Sequence, residues 1–319
     1  RKELEPISQF HEAAMARYTL KRLGVAILVA IAVSLVTFSL LYVSGDPAAA
    51  MAGESASEED IEYVRKHYGF DRPLAVQYAD WAYKAIHGDF GMSIYLKRPV
   101  AEILAERAPT TMTLGALALG FALVLAIPLG VLAAMFPNTI IDRLALSLAV
   151  VGQALPSFFF ALIMIIIFGV WLRWLPISGH ASWLNFIMPS IALGYYATPA
   201  IMRLTRAGML DVMASDYIRT ARAKGLEPRV VLFKHALRNA IIPVVSLAAV
   251  QLGFMLGGSI VIETIFSLNG LGSLAWQSIQ RSDFEVMQAI VLTIACFYIL
   301  LTFLADMLNA FLDPRIRVT

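Results

Sequence analysis

Six runs of mostly apolar residues, at 23–43, 111–136, 144–172, 184–204, 240–266 and 286–312, limit what this chain can fold into more than any other feature. Each is long enough to cross the hydrocarbon core of a bilayer, which takes about 20 helical residues. No water is available there to bond a backbone amide, so a span must satisfy its polar groups internally, as a helix does. The expected fold class is all-α: a polytopic membrane bundle of about six transmembrane helices. Composition agrees, with 59% hydrophobic and 15% charged residues, against roughly half and a quarter in soluble domains. The third run carries Gly152 and Pro156 and reads as a tilted or bent span, or as two short segments, although no polar turn divides it. Gly253, Gly257 and Gly258 form a small-residue surface suited to close helix packing. The single cysteine, Cys296, lies in apolar sequence and reads as a small buried hydrophobe.

The first run follows Lys21 and Arg22 and precedes Ala48-Ala49-Ala50, the pattern of a cleaved leader. Its apolar core exceeds the 7–15 residues typical of one, so it reads as a retained span. Residues 1–22 form a cytoplasmic or interfacial segment, in which 7–18 mix apolar and charged residues at rough helical spacing. Basic residues set the orientation. Arg17, Lys21 and Arg22, the loop 205–239 with Arg206, Arg219, Arg222, Lys224, Arg229, Lys234 and Arg238, and the tail 313–319 with Arg315 and Arg317 all fall on one side, the cytoplasm. Residues 45–110 then face outward as a periplasmic region. A helix is expected over 58–68, with Ser57 as N-cap and Glu59 and Asp60 in its first turn. The aromatic surface of Tyr63, Tyr68, Phe70, Tyr78 and Trp81 either packs on the spans or receives a partner, and Gly88-Asp89-Phe90-Gly91 is a turn.

Catalytic patterns are missing. No Gly-x-x-x-x-Gly-Lys-Ser/Thr phosphate loop, zinc-protease His-Glu-x-x-His or Gly-x-Ser-x-Gly elbow occurs, and the five histidines, at 11, 67, 87, 180 and 235, are scattered. We expect no catalytic residue, metal site or cofactor in this chain. A net charge of +2 gives no reason to expect nucleic acid; membrane lipid is the surrounding partner. A transporter, channel or scaffold remains.

The loop 205–239 is amphipathic and basic. Met209, Leu210, Met213, Tyr217 and Ile218 make an apolar face, while Asp211, Asp216 and the arginines make a solvated one. Gly225 and Pro228 break the run. Composition alone describes a surface helical hairpin. The residues say more: Asp216-Tyr217-Ile218-Arg219-Thr220-Ala221-Arg222-Ala223-Lys224-Gly225, followed by His235-Ala236-Leu237-Arg238-Asn239-Ala240, resembles the coupling loop of ATP-binding-cassette importer permeases, in particular the dipeptide/oligopeptide/nickel family, first permease type. The superfamily's Glu-Ala-Ala is replaced by Arg219-Thr220-Ala221, as in the peptide branch. Gly45-Asp46-Pro47, Gly69-Phe70-Asp71-Arg72-Pro73, Gly88-Asp89-Phe90-Gly91-Met92-Ser93, Arg98-Pro99-Val100, Glu263-Thr264-Ile265-Phe266, Gly270-Leu271-Gly272 and Asp313-Pro314-Arg315 match the same family in order, with Asn269 where a proline is usual.

The resemblance implies a bacterial inner-membrane subunit that pairs with a second homologous permease. Two ATPase subunits on the cytoplasmic side bind ATP and magnesium, and a periplasmic binding protein delivers substrate. A coupling helix over 210–222 is implied, with Leu210, Met213, Asp216, Tyr217, Ile218, Arg219, Ala221, Arg222 and His235 as ATPase-coupling residues and Gly225 ending the helix at positive φ. Polar residues inside spans tend to face a cavity or partner helix. Gln153, Tyr195, Tyr196, Thr198, Gln251 and Glu263 are therefore candidates to line the translocation path; Glu263, with Arg203 and Asp306, lies near a span end, where these residues line it or reach water. The family moves peptides, nickel complexes, glutathione, opines and some sugars, and a di- or oligopeptide is the expected substrate. The alternatives are an ion-coupled secondary transporter, for which neither inverted repeats nor broken spans with midplane charges are visible, and a membrane scaffold.

Overall fold

The computed structural model describes residues 5–43, 45–53 and 55–312. Among the described residues, four helices are long and apolar enough to cross a membrane: Met15–Ser39 within α1 (Glu5–Val43), α5 (Val100–Met135), α13 (Ile242–Ile265) and Phe284–Phe311 within α15 (Phe284–Leu312). The region expected to be interfacial continues directly into the first span, with no break in α1 at residue 22. Exposed Leu20, Ile27, Leu28 and Val36 on α1 turn an apolar surface outward, as a lipid-facing helix does. Asp306 is bound to Arg22 at 3.0 Å, tying α15 to α1.

The other two apolar runs are interrupted. The third divides into α6 (Ile140–Ala154) and α7 (Ser157–Met164), which continues as a π-helix over Ile165–Trp171. No polar turn is needed, because Pro156 lacks an N–H and pushes Leu155 into extended backbone (φ −89°, ψ 128°). The Leu155 carbonyl accepts the Tyr195 hydroxyl at 2.5 Å instead. The fourth run divides at 195–197 into α8 (Leu184–Gly194) and α9 (Thr198–Met213). Short helices complete the chain: α2 (Pro47–Ala52), α3 (Glu58–Tyr68), α4 (Leu74–Ile86), α10 (Asp216–Ala223), α11 (Pro228–Val230) running into a π-turn at Val231–Leu237, α12 (Arg238–Ala240) and α14 (Leu271–Gln280).

α5 is the hub. Ala118, Ala122 and Ala126, four residues apart on one face, are fully buried among Met188 and Ala192 of α8, Ile201 and Met202 of α9, and Met255 and Ile262 of α13. Close approach depends on glycine: a Cβ at Gly130 of α5 would lie 2.7 Å from the Met202 carbonyl oxygen of α9. The expected small-residue surface on α13 is split. Gly253 receives the Tyr298 ring of α15, whereas Gly257 and Gly258 have open space above them. α5 begins at Val100, so the boundary expected at 110 falls inside a helix, whose first part carries Glu102, Glu106 and Arg107 ahead of the apolar run. Cys296 is exposed, not buried, on the flank of α15 facing α1 and α4.

The motifs of 45–99 have local explanations. Asp46 caps α2 by accepting the Ala48 N–H at 3.0 Å and pairs with Arg65 at 2.6 Å. Ser57 and Asp60 form a reciprocal capping box on α3, which holds the Asp60 carboxyl below its usual range, and Gly69 ends α3 in the left-handed region (φ 73°). The Ser93 hydroxyl donates to buried Asp283 at 2.5 Å, fastening this region to the start of α15, and the Arg281 guanidinium lies 3.4 Å from the Tyr95 ring centroid.

Glu263 does not face a path. It is fully buried and accepts the Thr111 hydroxyl of α5 at 2.8 Å and the Ser273 N–H of α14 at 2.9 Å, while Thr111 accepts the Leu271 N–H at 2.8 Å. Gly270 and Gly272 have no side chain to collide with its carboxylate, so the start of α14 seats directly on α13. Removing the carboxylate in Glu263→Ala strands these donors, each at a cost of about 1–3 kcal/mol. The purified variant should melt well below the parent in detergent, with Glu263→Gln between the two, because it keeps an acceptor for Thr111.

Candidate functional site

Between α9 and α13 the chain leaves the bundle and folds back on it. α9 ends at Met213, Ala214 and Ser215 turn the backbone, and Asp216 starts α10. The helix expected over 210–222 is thus two elements. Leu210 and Met213 belong to α9, and both are half-buried against its neighbours. α10 has one inward face, where Ile218 is fully buried and Ala221 nearly so. They pack with Val131 and Ala134 of α5, Met209 of α9, Val231 and Ala236 of the π-turn, and Ala240. Ile218 and Ala221 therefore anchor α10 to its own chain and offer no surface to another subunit.

The outward face is what remains. The side chain of Asp216 is 92% exposed and that of Arg219 is 79% exposed, paired at 3.2 Å. Tyr217, Thr220 and Arg222 are exposed beside them. The Tyr217 hydroxyl accepts the Asn239 side-chain amide at 2.8 Å, and the same amide donates to the carbonyl of half-buried His235. Gly225 has φ 76°, the positive value expected, and a Cβ there would meet no atom within 4 Å. Backbone conformation, not space, calls for glycine at this position.

A second anchor was not visible in the sequence. Arg206 on α9 binds Asp142 through Nε–Oδ1 and a terminal nitrogen–Oδ2 contact, both 2.7 Å, and the Asn138 N–H adds a bond at 2.9 Å. The Arg206 bonds and the Asn138 N–H hold the Asp142 carboxyl below the usual carboxylate range. A depressed carboxylate stabilises above its unfolded pKa and ceases to do so as pH falls through the folded value, so at neutral pH this clasp is closed. It joins the first turn of α6 to the middle of α9.

The path candidates separate. Tyr196 is exposed and Gln251 half-buried, and both line a groove of about 600 Å³ with Leu155, Ser157, Phe254 and Gly258. Tyr195 and Thr198 are buried in the framework, Thr198 donating to the Gly194 carbonyl. The Gln153 side chain and the 313–319 tail lie outside the described residues. Arg203 is exposed within α9, one turn beyond its start. Among the described residues no group of three or more His, Cys, Asp or Glu side chains is placed to hold a metal.

Residues 126–318 match the family described as binding-protein-dependent transport system inner membrane component, and 15–115 match the N-terminal component of the same systems. The chain belongs to this family. It is a permease component of an ATP-binding-cassette importer, a multi-pass protein of the inner membrane. It is 40% identical over 304 residues to the glutathione transport system permease protein GsiC of Escherichia coli (strain K12), covering 95% of this chain and 99% of that protein. The GsiC of Shigella flexneri serotype 5b (strain 8401) gives the same figures. The permease fold is shared with the inward-facing MetNI methionine ABC transporter, with a TM-score of 0.56 and 20% identity over 66% of this chain and 96% of that one.

Ile218→Ala should open a cavity under α10 and cost about 2–5 kcal/mol locally. In hydrogen exchange, amides of 216–223 should lose protection while those of α5 and α13 keep theirs. Equal loss throughout the bundle would contradict a local anchor.

Proposed function

We propose that this permease moves glutathione or a similarly short peptide inward, with α10 as the contact through which two ATPase subunits drive it. A second homologous permease completes the path, and a periplasmic binding protein delivers the substrate. The N-terminus, α10 and the C-terminus face the cytoplasm. ATP and magnesium belong to the ATPase subunits, and this chain supplies no catalytic group. The observation that carries the reading is the two-sided build of α10: polar and aromatic side chains turned outward, Ile218 and Ala221 locked into the bundle, and a Gly225 stop that fixes its length and aim. A push on such a helix is not absorbed by a flexible loop. It biases a two-state bundle between inward- and outward-open forms. The substrate class is supported by the name of the GsiC relatives, and the groove holding Tyr196 and Gln251 offers hydrogen-bonding groups on an apolar wall.

Variants should separate coupling from transport. Gly225→Val forces a β-branched residue to φ 76°, at about 1–3 kcal/mol of strain. Uptake and ATPase pull-down should both fall while membrane insertion survives. Tyr217→Ala and Arg219→Glu should do the same through the outward face. Tyr196→Ala and Gln251→Ala should leave ATPase assembly intact and change glutathione or peptide uptake alone. Full uptake with normal pull-down in Gly225→Val would remove α10 from the mechanism.

Orientation is checked with single cysteines in a Cys296→Ser background. In intact cells with a permeabilised outer membrane, an impermeant maleimide should label Ser55→Cys and spare Lys224→Cys. The opposite pattern would invert the topology.

A further inference from the structure

On the side of the bundle where α2–α4 lie is a two-part cavity that includes no residue of α10. One part, about 190 Å³, lies where the end of α1 and the start of α15 meet α4, and its lining includes Phe38, Trp81, Lys84, Asp89 and Glu285. The other, about 510 Å³, runs between α1, α4 and α15 and is almost wholly apolar, with Ile27, Ile31, Ala85, Leu292 and Phe297 on its walls. Trp81 and Phe90 border both, so the two parts adjoin.

Polarity falls in the same direction along both long helices. On α1 the lining passes from Phe38 in the polar part to Ile27 in the apolar part, about 16 Å deeper at 1.5 Å per residue. On α15 it passes from Glu285 to Leu300, about 22 Å. That is the profile met on going from lipid headgroups into a leaflet. α4 lies along this boundary: the Tyr78 hydroxyl bonds Ser34 of α1 at 2.8 Å, and exposed Tyr83 and Ile86 face outward.

The polar part has charges to spare. Arg72 is taken by Asp80 at 2.6 Å. Glu285 Oε2 is buried and has no hydrogen-bond partner among the described residues. Asp89 accepts the Gly91 N–H through Oδ1, its one hydrogen bond by a side-chain oxygen among the described residues. Lys84 is exposed, with no ion pair among the described residues. A buried carboxylate oxygen without a donor calls for a cation or an N–H, and the aromatic walls favour an ammonium group.

We propose that this cavity is a phospholipid site for a lipid with a zwitterionic ammonium–phosphate headgroup. The ammonium group lies against Glu285 and Asp89, the phosphate against Lys84, and one acyl chain fills the apolar part. An anionic headgroup brings no cation to Glu285, and a water-soluble solute leaves the groove unfilled.

The test is native mass spectrometry of the full chain released from nanodiscs of equimolar phosphatidylethanolamine and phosphatidylglycerol with identical acyl chains. The parent should retain phosphatidylethanolamine over phosphatidylglycerol by about tenfold, the scale of one charge-assisted hydrogen bond. Glu285→Gln should bring the ratio towards unity. Lys84→Glu should lower retention of both lipids, since both carry the phosphate, and at an exposed position it leaves folding unaffected. Ala85→Trp, which fills the groove, should lower retention of both lipids. Equal retention by the parent, or undiminished retention in Lys84→Glu, overturns the site. So does displacement of the lipid by soluble phosphoethanolamine alone, which would mark a solute pocket, or a co-purifying protein that occupies this face in its place.

Discussion

A backbone amide inside a bilayer has nowhere to turn but its own chain. That constraint explains the long helices, and it explains more sharply what happens where helices stop. At Pro156 the Leu155 carbonyl is freed and the Tyr195 hydroxyl takes it. At the start of α14, Glu263 and Thr111 receive the N–H groups of Ser273 and Leu271. Asp142, in the first turn of α6, accepts the N–H of Asn138 in the preceding turn as well as binding Arg206. Polar side chains buried in this bundle are spent mainly on the backbone at interruptions, because leaving such groups unbonded is among the costliest errors a membrane protein can make.

Interruptions satisfied in this way let the rest of the structure rely on shape. Apolar residues gain little by exchanging lipid for one another, so helices associate through close packing of small side chains. The alanines of α5, with Gly130 and Gly194, bring α8 and α9 close along much of its length. α10 is held in a similar way, by Ile218 and Ala221 sitting among alanines and valines.

Features governed by neighbouring residues were legible in the sequence. The Ser57 N-cap, the positive φ of Gly225 and the apolar runs follow from chemistry within a few residues. Features that depend on a distant partner were not. Arg206 reads as one of several loop arginines until Asp142, 64 positions earlier, is placed against it. Ile218 reads as a contact for another subunit because helical spacing reveals an apolar face but not what covers it. Glu263, Tyr195 and Thr198 attract attention as polar residues in spans, and the inference that such residues line a path has a competitor: they also bond backbone at helix breaks. Tyr196 and Gln251, which do share a groove, look no different in sequence from those that do not.

α5 has a consequence for how the two faces of the membrane communicate. One end shares a cluster with α10 through Val131 and Ala134, and the other shares a cluster with α14 and α15 through Val100, Ile103 and Leu104. Two prolines, Pro109 and Pro128, interrupt its hydrogen-bond ladder, about 28 Å apart along the axis, close to the roughly 30 Å of the hydrocarbon core. The helix is thus stiff between Pro109, at the start of the apolar run, and Pro128, about 12 Å short of that run's other end. A displacement of α10 arrives on the opposite side chiefly as a change of tilt, as in a rod with a flexible joint at each end, and the alanine packing between the joints travels with it as one body.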